Sequence, residues 1–354
     1  MATHMPPSLL TALRRLAPGT ELRNGIDRII QHGSGALVVL GGGNAVDELC
    51  TGGFLLRDTR FSEQRLAELA KMDGAIVLDE SAERILRANV HLIPDASIAT
   101  SETGTRHRTA ERMAIQTGKP VVSVSEGRKI AVVFTGEGRQ ELESPITVLP
   151  RANQMVQSLD RSRRRLDLAE ELVTRQELEG EATFRSAVSI IQRAEIIHRL
   201  GSDVDDLTVA LGDEGTLIRF QATDLLQGVP ELAELVIADY ASARRRLRTL
   251  DDLSHLTMGD VHDPEAVAAV FGFKDLDAIA KPSGYRILSG LPGLPAAVKE
   301  GLVAHFKSLS RMMDASAERL GRVEGVGRGR AQQLRSYFEQ LRQDAGLVPH
   351  NHGA

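Results

Sequence analysis

The sequence predicts an α/β N-terminal domain, a mixed sheet flanked by helices, followed by an α-helical spacer and an all-α C-terminal module. Three observations carry that expectation. Runs rich in Val and Ile interleave with helical patterns up to about residue 150. From Arg151 to Leu178 there is neither Gly nor Pro. Residues 288–306 and 322–338 repeat one order of features: a helix end, a Gly-apolar dipeptide and a new helix. The expected divisions are 1–149, 150–285 and 286–354.

In chain order, residues 8–33 place Leu9, Leu13 and Leu16, then Leu22, Ile26, Ile29 and Ile30, at helical spacing. GALVVLGGG (35–43) is a buried-strand run, with Gly41–Gly43 expected as a strand-end turn near a pocket. An amphipathic stretch with Val46 and Leu49 follows, and Gly52–Leu55 restarts an extended piece. Ser62 to Met72 forms a helix with Leu66, Leu69 and Ala70 on its apolar face and Ser62 as N-cap. Residues 75–79, 84–93, 121–125 and 129–134 are strand-like. After Pro150, Met155, Leu159, Leu166, Ala169 and Val173 make a seam near seven-residue spacing, on a helix about 40 Å long. The segment 180–285 is mostly helical, with Val188, Ile191, Ile196 and Ile197 on periodic faces; within it, 207–220 reads as two strands around a Gly-Asp-Glu-Gly turn.

Composition narrows the function. At 42% hydrophobic and 26% charged, the 354 residues describe a folded, soluble chain, and with 3% aromatics and no Trp its core rests on Leu, Ile, Val and Ala. The single cysteine, Cys50, excludes an internal disulfide or a zinc knuckle and fits a reducing cytoplasm. No apolar run approaches the roughly 18 residues of a membrane span, and the N-terminus lacks the order of a secretory signal. A net charge of −5 argues against a nucleic-acid partner only if it is evenly spread. It is not: Arg286 to Arg342 holds ten Lys or Arg against five Asp or Glu, so this segment is +5 and the remainder −10.

Within that basic segment, Gly325-Val326-Gly327 allows a tight turn with outward N–H groups. The helix that starts at once adds its unpaired N–H groups and positive dipole end. Arg328 and Arg330 complete a site for a DNA phosphate. The turn resembles the helix-hairpin-helix motif. Gly293 marks the first copy, where Pro295 replaces the second glycine and removes a donor, so weaker binding is expected there. A lone GVG would be only an interhelical turn; two copies with an arginine excess favour structure-selective or nonspecific phosphate contact. The runs at 161–165 and 244–248 read as solvated faces, and His350 and His352 as a polar tail without metal.

In the N-terminal half, ETGTRHRTAERMA (102–114) sets Arg106, His107 and Arg108 between Thr105 and Thr109 at a helix start, a set of donors suited to a polyphosphate. KMDGAIVLD (71–79) puts Asp73-Gly74-Ala75 at a strand entrance, where a carboxylate can hold a divalent metal or take a hydroxyl proton. No GxxxxGK[ST] or GxGxxG spacing occurs, so neither a P-loop nor a Rossmann site is expected.

DGA followed some thirty residues on by GTRHRT resembles the signature of the diadenylate cyclase family, and the intervening RANVHLIPDASIATSETG resembles it too. With the helical spacer and the tandem hairpins, almost the whole chain resembles the DNA-integrity scanning branch of that family. The resemblance implies that two ATP condense to cyclic di-AMP and two diphosphates, each 3′-hydroxyl attacking the other α-phosphate across a face-to-face pair of domains. It implies Asp73 as ligand of Mg²⁺ or Mn²⁺ and activator of the hydroxyl. Gly74 and Leu92 would line the adenosine pocket, Thr105, Arg106, His107, Arg108 and Thr109 would hold the triphosphate, and Ser125 would touch the terminal phosphates. It further implies a homo-octamer whose cyclase is inhibited by branched DNA such as Holliday junctions, bound through Gly293, Gly325, Gly327, Arg328 and Arg330. Two other readings stand beside it: an ATP-sensing DNA-junction scaffold without cyclase activity, and a helix-hairpin-helix nuclease or repair factor.

Overall fold

The computed structural model describes residues 5–347, apart from 243 and 246 and the side chains of 57 and 58. His350, His352 and Arg246 of the 244–248 run therefore lie outside the described residues. The chain forms two compact units: the described residues up to 155 together with 203–221, and residues 156–202 together with the chain from 222 onward.

The first unit begins with helices α1 (Pro7–Arg15) and α2 (Glu21–Gln31), strand β1 (Ala36–Leu40), the short α3 (Asn44–Asp47), β2 (Cys50–Thr51), β3 (Phe54–Arg60) and α4 (Glu63–Leu69). It continues with β4 (Ala75–Leu78), β5 (Arg84–Leu92), α5 (Thr105–Thr117), β6 (Val121–Ser125), β7 (Ile130–Thr135) and β8 (Gly138–Glu141). Thr20 and Ser62 cap α2 and α4 by accepting the N–H of Arg23 and Arg65. The strands make one mixed sheet in the order β2-β5-β4-β1-β6-β7-β8, with β3 also on β5. Among the described strands only β1 and β4 run parallel; the other pairs are antiparallel.

Alternation along the strands distributes the core. Val38, Leu40, Ile76 and Leu78 face Leu13, Leu22, Ile26, Ile29 and Leu66 of α1, α2 and α4. Leu37, Val39, Val77, Val121 and Phe134 face Ala110, Met113 and Ala114 of α5. Helix α5 thus buries an i, i+3, i+4 stripe. That docking fixes which way its first turn points.

Downstream come α6 (Pro145–Glu179), α7 (Phe184–Leu211), a 3₁₀ turn (Gly212–Gly215), α8 (Thr216–Leu226), α9 (Val229–Tyr240), α10 (Met258–His262) and α11 (Pro264–Phe271). Two expectations fail here. The long helix does not wait for Pro150 but starts at Pro145 and runs through it. A proline at this position frees the carbonyl of Ile146, a residue 86% exposed, where water can satisfy it. The hairpin expected at 207–220 is helical on both sides of Gly-Asp-Glu-Gly. Gly212 turns with φ +57°, and a Cβ there would strike the Pro18 carbonyl; one on Gly215 would stand 2.8 Å from the Thr208 carbonyl. These glycines break one helix from the next instead of joining strands.

The C-terminal helices are α12 (Tyr285–Ser289), α13 (Ala296–Phe306), α14 (Leu309–Met313), α15 (Ala317–Leu320) and α16 (Arg328–Asp344), around a core that includes Leu288, Leu302, Leu309, Met312, Leu334 and Phe338. The start of α12 is fixed by buried charge. Asp239 accepts the N–H groups of Gly284, Tyr285 and Arg286 at 2.7, 2.6 and 3.0 Å. Arg286 reaches Glu177 of α6 at 2.6 Å, and the Tyr240 hydroxyl donates to the same carboxylate at 2.8 Å. Burial, with Glu177 nearby, pushes Asp239 up to about 7 against the pull of its backbone donors.

Candidate functional site

A cavity of about 230 Å³ opens where the N-terminal ends of β1 and β4, the C-terminal end of β5 and the first turn of α5 converge. Six of the residues singled out in the sequence line it: Asp73, Gly74, Leu92, Thr105, Arg106 and Thr109. Asp73 and Arg106, 33 residues apart, meet at its rim, where Nη2 donates to Oδ1 at 2.8 Å. Their side chains are 94% and 38% exposed, and an ion pair so wet is worth only about 0–1 kcal/mol. Both partners therefore exchange readily for a ligand. The α5 terminus adds first-turn N–H groups and the positive end of a helix dipole.

Three consecutive side chains on a helix, about 100° apart, cannot face one cavity. Arg106 turns to the cavity and Arg108 is exposed without lining it. His107 points inward, 7% exposed, with Nδ1 3.3 Å from the Ser123 hydroxyl and its ring edge-on to Phe134 at 5.8 Å. Burial, helped by Arg128, holds its imidazole below the ordinary value; among the described residues Nε2 has no hydrogen-bond partner. The side chains of His107 and Arg108, expected at the triphosphate, thus do not line the cavity. Ser125 is also away from the cavity, accepting the N–H of Arg128. Gly41–Gly43 follow the C-terminal end of β1, whereas the cavity lies at its N-terminal end, so that turn is not beside it.

Gly35 is one of several lining residues that sequence reasoning did not place at the site. A Cβ there would run into the Arg106 guanidinium, so the bare position gives that side chain its room. The signal was the glycine immediately before a buried strand. A larger cavity of about 600 Å³, lined by Arg15, Arg60 and Arg84 but also by Glu21 and Glu83, lies at the opposite ends of β4 and β5 and holds none of these residues. Among the described residues no three His, Cys, Asp or Glu come together as a metal site.

The C-terminal hairpins repeat one geometry. Gly293 and Gly325 have φ +76° and +80°; the next residues, Leu294 and Val326, are buried; Pro295 and Gly327 cap the following helices with extended backbones. Gly327, Arg328 and Arg330 are exposed, and Arg330 donates back to the Gly325 carbonyl at 2.7 Å. The copies pack together: a Cβ on Gly325 would stand 2.9 Å from Val298 of α13.

Known proteins resemble this chain over most of its length. The family described as DisA bacterial checkpoint controller nucleotide-binding matches residues 23–138, and the DisA bacterial checkpoint controller linker region matches 142–279. The chain is 45% identical over 347 residues to the DNA integrity scanning protein DisA of Kineococcus radiotolerans, covering 96% of both chains. It is 42% identical over 348 residues to that of Acidothermus cellulolyticus, covering 96% of this chain and 94% of the other. A solved DacA from Staphylococcus aureus aligns at 20% identity over 38% of this chain and 88% of its own, with a TM-score of 0.30. Among the described residues no helix is long and apolar enough to cross a membrane.

Proposed function

The chain belongs to the DNA integrity scanning protein family, whose enzymes are diadenylate cyclases, and from that premise we propose that the cavity between Asp73 and Arg106 binds ATP and joins two molecules into cyclic di-AMP. The observation that carries this reading is the convergence of Asp73 with Thr105, Arg106 and Thr109 of the first turns of α5, from two segments distant in sequence, on one concave site. Adenosine lies along Gly74 and Leu92, and the triphosphate lies over the α5 terminus with Arg106 on its oxygens. His107 acts from beneath, packing the first turn of α5 onto Ser123 and Phe134, while Arg108 and Ser125 serve the outer phosphates once a nucleotide is present.

Binding breaks the Asp73–Arg106 pair: phosphate takes the guanidinium and the carboxylate is freed. Asp73 then accepts the proton of the incoming 3′-hydroxyl. The oxygen forms its bond to the α-phosphorus of the other ATP and the P–O bond to diphosphate breaks; two such events close the ring and release two diphosphates. A single exposed carboxylate suits Mg²⁺ or Mn²⁺ shared with substrate phosphates better than a cation caged by protein; so held by Asp73, the ion would neutralise phosphate charge. Each cavity contributes one nucleotide, so the reaction needs two domains face to face, within a homo-octamer.

The proposed division of labour is a cyclase at 1–149, a helical spacer at 150–285 and a DNA module at 286–354, in a cytoplasmic protein. The two glycine turns and the exposed Arg328 support binding of branched DNA by phosphate contact, with inhibition of the cyclase as its consequence. Incubation with ATP and Mg²⁺ or Mn²⁺, followed by chromatography, tests the chemistry. Cyclic di-AMP and diphosphate in a 1:2 ratio are expected; ATP binding without product would favour the junction-scaffold reading.

A further inference from the structure

Four non-glycine residues of the described chain have left-handed backbones: Ala82, Asn89, Lys129 and Lys307. Three sit in turns or at a helix end; Asn89, with φ +56°, lies inside strand β5. Pairing shifts at that point. Ala75 opposes Val90 but Val77 opposes Arg87, so three steps along β5 answer two along β4, which is a bulge. Glycines close on it from both sides. A Cβ on Gly74 would stand 2.5 Å from the Asn89 Cα and carbonyl carbon, and one on Gly53 would stand 2.6 Å from the Asn89 carbonyl oxygen. The glycine of the Asp73-Gly74-Ala75 string is therefore bare because a neighbouring strand needs the space.

The two sides of this bulge are the two sides of the cavity. Gly74 follows Asp73, and Val90, His91 and Leu92 line the wall beyond Asn89. We propose that Asn89 is a positioning residue for the nucleotide site: its left-handed backbone at the bulge, not a contact of its amide with substrate, sets Asp73 against the Val90–Leu92 wall. Asparagine enters this backbone region far more easily than alanine or a β-branched residue, and glycine enters it freely. The inference rests on the ATP reading of the cavity.

The test compares Asn89→Gly, Asn89→Ala and Asn89→Val in the full-length protein, reading the Kd for ATP with Mg²⁺ by calorimetry, kcat and KM for product formation, and Tm. Asn89→Gly is expected to keep Kd and kcat/KM within about threefold of the parent, while Asn89→Val loses at least about tenfold, with Asn89→Ala between, following the cost of the left-handed region. If Asn89→Val does not fold, Gly53→Ala probes the same contact from outside the cavity and should weaken ATP binding likewise.

Equal losses in Asn89→Gly and Asn89→Val would make the amide itself the important group and overturn the proposal. So would a fall in Tm with Kd and kcat/KM of the folded protein unchanged. A parent that binds ATP but forms no product would refute the cyclase reading alone, since the Kd series still reports on Asn89. A parent that binds no ATP would overturn both.

Discussion

The Asp73–Arg106 cavity and the second C-terminal hairpin use the same materials, glycine-relieved backbone beside arginine at a helix start, but collect them over very different lengths of chain. The cavity draws Asp73 to Arg106 across 33 residues and borrows Gly35 from β1 and Leu92 from β5. Each hairpin is complete within a few residues, from Leu291 to Pro295 or Val323 to Gly327, and exists twice. A site assembled by sheet pairing fails as a whole when one member is lost. A local, duplicated site should lose function by fractions.

Asp73→Asn probes the first half of that contrast and carries the largest expected effect. Loss of a positioned proton acceptor costs about 10²–10⁴ in rate, so kcat should fall at least a hundredfold. Because the side chain is 94% exposed, Tm should hardly move. Product chromatography and a melting curve on the same sample check this; retained turnover would remove Asp73 from the chemistry.

Gly325→Ala against Gly293→Ala separates backbone from packing in the hairpins. Both positions are left-handed, at about 1–2 kcal/mol for a side chain. Only Gly325 also meets Val298 at 2.9 Å, whereas Gly293 has nothing within 4 Å. Gly325→Ala should therefore destabilise by about 1 kcal/mol more, the lower range for a forced core contact. Hydrogen exchange of the α13 and α16 amides in the full chain measures the difference, and equal protection would mean the copies do not brace each other.

Arg328→Ala should weaken DNA binding several-fold and lower the slope of log affinity against log salt by about one, the signature of one lost phosphate contact. Arg330 differs because it also bonds the Gly325 carbonyl, so Arg330→Ala should loosen the turn as well as the salt slope. An unchanged slope in Arg328→Ala would take that residue off the DNA.

The same distinction between local and assembled structure explains what the sequence made legible. Strands β1, β4, β5, β6 and β7, the Ser62 cap and the hairpin glycines are written in neighbouring residues and stand where periodicity and turn chemistry put them, whereas β2, β8 and the second half of β3 were not read. At 207–220, Thr, Val and Ile around Gly-Asp-Glu-Gly have the composition of a hairpin, but Gly212 against Pro18 and Gly215 against Thr208 fix a helix break instead. Those are contacts that a local reading cannot include. The density of cations at Arg106–Arg108 drew attention to the start of α5, while the 100° step between residues, set in phase by Ala110, Met113 and Ala114 docking on the sheet, decided that of the three only Arg106 lines the cavity. Asn89 was invisible because its role exists only where β5 slips against β4.

Pro295→Gly is the smallest and sharpest of these tests, because it makes the first hairpin resemble the second at one atom. Pro295 caps α13 with φ −63° and ψ 148°, and Gly327 caps α16 with φ −76° and ψ 171°. The backbones already match, so the substitution needs no rearrangement and restores a missing N–H donor at the helix start. Freeing the unfolded chain should cost about 0.4–1 kcal/mol of stability. A neutral backbone donor to a phosphate, with water as its competitor, is worth about 1 kcal/mol, so DNA affinity should rise a few-fold while Tm falls slightly. The opposite movement of the two readouts is what makes the variant informative: a stability effect alone would lower both. Unchanged affinity would mean that the first hairpin positions the second without touching phosphate, and that the duplication is structural on one side and functional on the other.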